Sequence, residues 1–494
     1  MRSHGRFTRF GMLVASSTLL AGAQYFTPQH RLSGIGADRA AITPAVVEER
    51  TERMIQSQTF VIMRHPEATA GAERVTGPGL TKIIGSAAKS SGLPASLISA
   101  VAYLESWGDA EAVSPAGPKG IMQFSEATAR AAGLQVVRVT RYQTTKERRA
   151  VRTKSGKTMY RTVRRRIPYV VTVRDDRLTP ERAVPATARY LARLQTKFGG
   201  LDWAIFAYHC GEGCVADLFP MAQAATGREQ PTVAEMFFAA HPALHTQLYD
   251  AIRRQMQRDY SPTYWFRIQR AEQLLKLYQA DPAAFRELAA EYRNPENPQR
   301  RADNRLMVWF KTADVDYRPA RDFKAASDGA LTRLLDDPMF FGVTPPSLPG
   351  TQELLQDSPS AIGSMLYIAF ETRRLFEALK PKGERFVPLR MAKVASATDR
   401  EAPESGEHST GQVFAIDQSN LGRAERQCLN FTLEDLGWDG HVGFFQDAGD
   451  TLHIGAAPSS REFFAAVFQE ALDAKLEAGA SELPRRAPAS ESLR

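Results

Sequence analysis

The stretch Ser91-Gly-Leu-Pro-Ala-Ser-Leu-Ile-Ser-Ala-Val-Ala-Tyr-Leu-Glu-Ser106 places the tightest constraint on this chain. It reads as a helix. Pro94 suits a first turn, where the N–H it lacks has no helical partner. Leu97, Ile98, Val101, Ala102 and Leu104 recur at three- and four-residue spacing and make an apolar face. Glu105 lies one turn beyond Val101 and two beyond Ile98, so it projects from that same face. A carboxyl group there is either paired or desolvated. A desolvated carboxyl keeps its proton closer to neutral pH, as a general acid must. The other reading is a Glu at a fraying helix end, turned to solvent ahead of Trp107-Gly108.

Two further motifs follow in order. Ser114-Pro-Ala-Gly-Pro-Lys-Gly-Ile-Met-Gln123 is a glycine-rich turn leading into a helix, and Ala204-Ile-Phe-Ala-Tyr-His-Cys-Gly-Glu-Gly-Cys-Val215 ends a helix in a Gly-X-Gly turn. A Glu-Ser pair closing a helix, then Gly-Ile-Met-Gln, then Ala-Tyr-X-X-Gly-X-Gly-X-Val resembles the soluble lytic transglycosylases, whose fold is like goose-type lysozyme. The resemblance covers residues 76–225. It implies that Glu105 is the catalytic acid/base. It also implies that Ser106 orients the substrate, that Gln123 hydrogen-bonds a sugar or its acyl group, and that the Tyr208 hydroxyl faces the catalytic carboxyl. Each has a plain alternative: Ser106 as a helix cap, Gln123 as a surface residue, Tyr208 as core. The family usually has Asn where this chain has His209, and a small residue where it has Cys210. Asp175–Leu191 resembles the stretch that starts the family's cleft-backing helix.

The N-terminus is basic, then apolar over Gly11–Ala23 with an Ala-X-Ala end. It reads as a signal peptide over 1–23, with an uncleaved anchor as the alternative. No later stretch is long and apolar enough to span a membrane. The expectation is an exported, periplasmic or secreted protein. Export permits a disulfide between Cys210 and Cys214, with free thiols the equal alternative; these and Cys428 are the chain's three cysteines. Residues 24–75 read as a linker with one short helix around Pro44–Gln56. Thr76-Gly-Pro-Gly marks the start of the catalytic domain.

Residues 136–174 hold 13 Lys and Arg against one acid, Glu147. Their net charge is +12 against +8 for the whole chain, so the remainder carries −4. The segment is rich in Val, Thr and Tyr and broken by Lys-Ser-Gly-Lys at 154–157. This predicts a basic β-hairpin inserted into a helical domain. Its expected partner is the carboxylates of peptidoglycan peptides or another anionic envelope polymer. Export and the lack of a nucleic-acid motif exclude nucleic acid. A merely solvated extension is the alternative.

Residues 226–345 read as a helical extension, with helices near 259–278, 282–292 and 304–312. Tyr264 and Trp265 read as core, or else as the lining of a glycan path. Residues 346–360 are a Pro-, Gly- and Ser-rich linker, 361–475 a small α+β domain, and 476–494 a polar disordered tail. In the α+β region a strand ending Ser-X-X-X-Arg, then His408-X-X-Gly and Asp417, then Asp450-X-X-His453 resemble the zinc D-alanyl-D-alanine carboxypeptidases. That resemblance implies zinc on His408, Asp417 and His453 with Asp450 as base. The family's base is Glu and its Gly-to-Asp gap is shorter. The expectation is therefore a related fold without metal, one that holds stem peptides.

The fold expected is mainly α: a lysozyme-like helical domain over 76–225 with the hairpin insert, then the helical extension, then the α+β domain. The function expected is cleavage of the MurNAc-GlcNAc bond in peptidoglycan glycan strands, leaving 1,6-anhydro ends and needing no cofactor. A muramidase using water and a non-catalytic peptidoglycan scaffold are the alternatives. Most glycosidases flank the bond with two carboxylates. Here the resemblance supplies one, and no motif marks Asp109, Glu111 or Glu126 as its partner.

Overall fold

The computed structural model describes residues 25–33, 35–36, 42–152, 154–294, 337–344, 358–379, 384–393, 413–446 and 451–481. Helices dominate, with a two-stranded hairpin set into them and a small mixed sheet near the C-terminus. The expected signal peptide, the helix at 304–312, nearly all of the 346–360 linker, and the tail beyond 481 lie outside the described residues.

The helical body begins earlier than the sequence suggested. The short helix expected around Pro44–Gln56 is the first part of α1 (Pro44–Met63), and residues read as linker supply the rest of it and α2 (Ala68–Thr76). Thr43 caps α1, accepting the Val46 N–H, and Pro44 occupies its first turn. Met54, Ile55, Phe60, Ile62 and Met63 are buried, but so are Arg50, Ser57, Gln58 and Thr59. These polar residues break the apolar period that reveals a buried helix. Each finds a partner: the Ser57 hydroxyl donates to Met54 O at 2.7 Å, and Thr59 Oγ1 accepts from Arg270 Nε at 2.7 Å.

Helix α3 (Pro78–Ser91) ends at Gly92 in the left-handed region, and α4 (Ala95–Ser106) buries Leu97, Ile98, Val101 and Ala102 as its spacing predicts. A short α5 (Glu126–Ala131) leads into strands β1 (Val136–Arg152) and β2 (Thr158–Asp175). The strands pair antiparallel in unbroken register from Arg138↔Thr172 to Arg152↔Thr158. Then come α6 (Pro180–Phe198), which packs on α3 and touches α4, α7 (Leu201–Cys210), which packs on α6, and α8 (Glu212–Thr226), which packs on α7. The extension supplies α9 (Val233–Ala239), α10 (Thr246–Arg258), α11 (Ser261–Ala280) and α12 (Pro282–Arg293). Helix α11 packs on α1, α4 and α7, so the extension belongs to the same core.

The C-terminal region is a sheet in the order β3-β4-β5-β7-β6. Its strands are β3 (Val343–Thr344), β4 (Leu389–Lys393), β5 (Val413–Asp417), β6 (Val442–Gln446) and β7 (Thr451–Ala456). The β3–β4 pair is parallel and the others antiparallel. With it go α13 (Pro359–Leu379), α14 (Arg423–Trp438) and α15 (Arg461–Ser481). Helix α14 is tied to the body by ion pairs. Arg50, 2 % exposed, reaches the fully buried Asp435 at 2.9 Å and Asp439 at 2.7 Å. Burial pulls the Arg50 guanidinium down, but the two carboxylates outweigh it and hold the charge. Arg253 of α10 pairs with Glu434 in the same way.

Candidate active site

Glu105 stands in the last turn of α4, with its side chain 14 % exposed. The helix stops there because Trp107 turns into the left-handed region at φ +54°, while the Gly108 N–H reaches back to Ala102 O. A tryptophan in that conformation is strained, and its surroundings hold it. His65 stacks on the indole at 4.5 Å, Tyr103 meets it edge-on, and Arg74 Nε donates to its carbonyl at 2.9 Å. Gly71 lies so close that a Cβ there would sit 2.9 Å from the Trp107 Cβ. Gln123, at φ +47°, is the other non-glycine residue in the left-handed region among those described. Both lie in the motif region that follows Glu105 in the chain.

A cleft of about 540 Å³ opens over Glu105. Helix α1 and the turn after it bring Val61, Arg64 and His65, α4 brings Leu104 and Trp107, α7 brings His209, and α11 brings Tyr260, Tyr264 and Arg267. Glu105 is the one carboxylate among these walls. Its Oε1 accepts the Tyr264 hydroxyl at 2.6 Å. Burial first, then the charge of Glu105, pushes the Tyr264 phenol well above its ordinary value, so it remains a donor. The His209 ring lies flat on Tyr264 at 4.3 Å, with Nδ1 3.8 Å from Glu105 Oε1. Burial lowers His65 and favours its neutral form, and lowers Arg267 to about 10.

The other expected site residues take different partners. Tyr208 is close enough for the Glu105 charge to help hold its proton, after burial, but its hydroxyl donates to Met122 O at 2.6 Å and not to the carboxyl. The Ser106 hydroxyl is buried and donates to Ile121 O at 2.8 Å, which ties α4 to the 120s turn. Gln123 Nε2 donates to Gly120 O at 2.9 Å and Ala112 O at 3.3 Å, so the amide shapes its own turn. Of the acids nearest in sequence, Asp109 Oδ1 accepts the Glu111 N–H, and Glu126 binds Arg130 and Arg138 at the hairpin root. None of them lines the cleft. The sequence favoured core for Tyr264 and kept the lining of a glycan path as the alternative, with no signal that it would meet Glu105.

Residues 82–153 and 157–230 match the family model of the Transglycosylase SLT domain. The chain carries an SLT domain. Over 128 residues it is also 35% identical to the peptidoglycan transglycosylase gp16 of Escherichia phage T7, a match spanning 26% of this chain and 7% of that protein. The SLT matches hold Glu105, Gln123, Tyr208 and the hairpin, while α1 and α11, which complete the cleft, lie outside them.

Cys210, Cys214 and Cys428 are free thiols, the first two half-buried beside the SLT site. In the α+β region Asp417 pairs with Arg390 and accepts the Ser419 N–H at 2.7 Å, while His453 stacks on Phe445 at 4.5 Å. A guanidinium already on Asp417 does not suit a cation site, and His408 and Asp450 lie outside the described residues. Among those described, no helix is long and apolar enough to cross a membrane.

Proposed function

We propose that the protein is a peptidoglycan lytic transglycosylase acting in the cell envelope, with Glu105 as its general acid/base. The observation that carries this reading is that Glu105 is, among the described residues, the one carboxylate lining a cleft of an SLT domain. Hydrolysis with inversion or through a glycosyl-enzyme calls for a second carboxylate, about 5–9 Å away. With one, the substrate supplies its own nucleophile. The Tyr264 hydroxyl occupies Oε1 and leaves Oε2 to carry the proton. Glu105 gives that proton to the glycosidic oxygen as the bond from C1 of MurNAc to that oxygen breaks. The carboxylate then takes the proton of the sugar's C6 hydroxyl while O6 bonds to C1. The products are a free GlcNAc 4-hydroxyl and a 1,6-anhydro-MurNAc end, with no water consumed. Ser106, Gln123 and Tyr208 serve this reaction by fixing the Gly120–Gln123 turn against the end of α4.

Mass spectrometry of sacculi digested by the full chain tests the reading. Anhydro ends are expected from the wild type, and a loss of about a hundredfold or more from Glu105→Gln. Reducing ends would establish water as the acceptor and overturn the mechanism. Equal yields from both proteins would remove Glu105 from its role.

A further inference from the structure

The hairpin's two faces differ in a way its composition does not reveal. From Arg138 to Arg152 the register is regular, so opposed residues share a face and alternate pairs share the same one. One face carries Tyr142, Arg166, Lys146, Arg164, Arg148 and Tyr160 in order toward the tip, and no acid. The guanidinium of Arg166 lies 4.3 Å from the Tyr142 ring centre and that of Arg148 5.4 Å from the Tyr160 ring. The four cations therefore form a row between two exposed tyrosines about 27 Å apart. None of the four has a carboxylate partner among the described residues, and Lys146 sits directly opposite Arg164. Like charges facing each other across a ladder are destabilising. The other face holds Glu147, which pairs with Arg165 at 4.0 Å, and a mixture of Val, Ile, Met and Arg.

The root of the hairpin fixes where this row points from. Asp176 accepts the Gln135 N–H and binds Arg174 and Arg182, and the buried Arg177 pairs with Asp175 at 2.7 Å and donates to Phe124 O. The Arg177 carbonyl packs on Gly120, where an added Cβ would lie 1.8 Å away. The hairpin thus springs from the Gly120–Phe124 turn that carries Gln123. The same turn receives the Ser106 hydroxyl at Ile121 O, one residue after Glu105, so the ribbon is anchored on the segment tied to the end of α4.

We propose that the acid-free face is a binding strip for the stem-peptide carboxylates of the same peptidoglycan strands that the cleft cuts, an inference that rests on the proposed reaction. Carboxylates pair with the cation row and sugar or peptide faces lie on the tyrosines. A second copy of the hairpin is repelled by the same charge. A bilayer is disfavoured because the more apolar face is interrupted by the directly opposed Arg149 and Arg161. An isolated two-stranded ribbon is marginal in water, so such a partner also steadies the strands.

The test measures binding of the full-length Glu105→Gln protein to sacculi by pelleting, so that no cleavage is needed. One variant changes Lys146, Arg148, Arg164 and Arg166 to Gln; its control changes Arg141, Arg149, Arg161 and Arg165 to Gln, removing the same charge from the other face. The first is expected to weaken binding about tenfold or more, and the control less than about threefold. Amidating the sacculus carboxyls should match the loss without any variant. With Glu105 restored, the first variant should keep its turnover on short peptide-free glycans, where anhydro products report the reaction independently. Equal weakening by both variants, undiminished binding to amidated sacculi, or tighter binding to a single-stranded DNA oligonucleotide or to anionic vesicles would overturn the proposal.

Discussion

At the scale of single residues, the proposed chemistry turns on which hydroxyl touches Glu105. Tyr264→Phe removes a hydrogen bond that strengthens as Glu105 gives up its proton and becomes a carboxylate, of the kind worth about 1.5–3 kcal/mol to a charged group, so kcat should fall about ten- to a hundredfold with KM nearly fixed. Tyr208→Phe instead leaves the Met122 carbonyl without its donor. Its main effect should be a loss of about 1–3 kcal/mol of stability, seen in denaturant melts. Comparable kcat losses from the two would return Tyr208 to the catalytic carboxyl. Glu105 stood out as a charged residue on an apolar face, but that face left a solvent-exposed helix end equally open, and only the Gly-Ile-Met-Gln and Ala-Tyr motifs after it singled it out. Tyr264 did not stand out, because its partner lies 159 residues away and a tyrosine amid Trp265 and Phe266 looks like core. The strained turns at Trp107 and Gln123 leave no trace in composition, since φ is set by the neighbours that enforce it.

At the scale of elements, the hairpin was readable and α1 only in part: a short helix around Pro44–Gln56 was expected, but the helix runs on to Met63. A period-two run of β-branched and basic residues with a Ser-Gly break can do little else than turn back on itself. The second half of α1 and its place in the core were hidden because it buries Arg50, Ser57, Gln58 and Thr59, and Arg50 and Thr59 find partners in distant segments. The hairpin's hold on the domain should depend on pH. The Arg177 hydrogen bond holds the Asp175 carboxyl below its ordinary range. The stability from that pair is present above the ordinary value and is lost as pH falls through the lowered one. Protection of the Val136 and Asp175 amides from hydrogen exchange, taken relative to the intrinsic rate at each pH, should fall between about pH 5 and pH 2, and Asp175→Asn should flatten the change. Gly120→Ala should loosen the same root at every pH, because a methyl there collides with the Arg177 carbonyl.

At the scale of the whole molecule, the cleft is assembled from both sides of the SLT domain, and the α+β region braces it. Arg50 belongs to α1, which walls the cleft, while Asp435 and Asp439 belong to α14. Arg50→Met leaves Asp435 buried without its cation. It should cost about 3–5 kcal/mol and lower the melting temperature of the full chain, with lost activity following the lost fold. A melting temperature unchanged by the substitution would show that the two parts are held by their apolar contacts alone. The lopsided charge has a consequence for arrival. A ribbon about 50 Å long at +12, set on a body at −4, gives the protein a large electric dipole. Near a polyanionic wall it should rotate before it touches, approach ribbon first, and associate at a rate that drops steeply as salt shortens the field's reach.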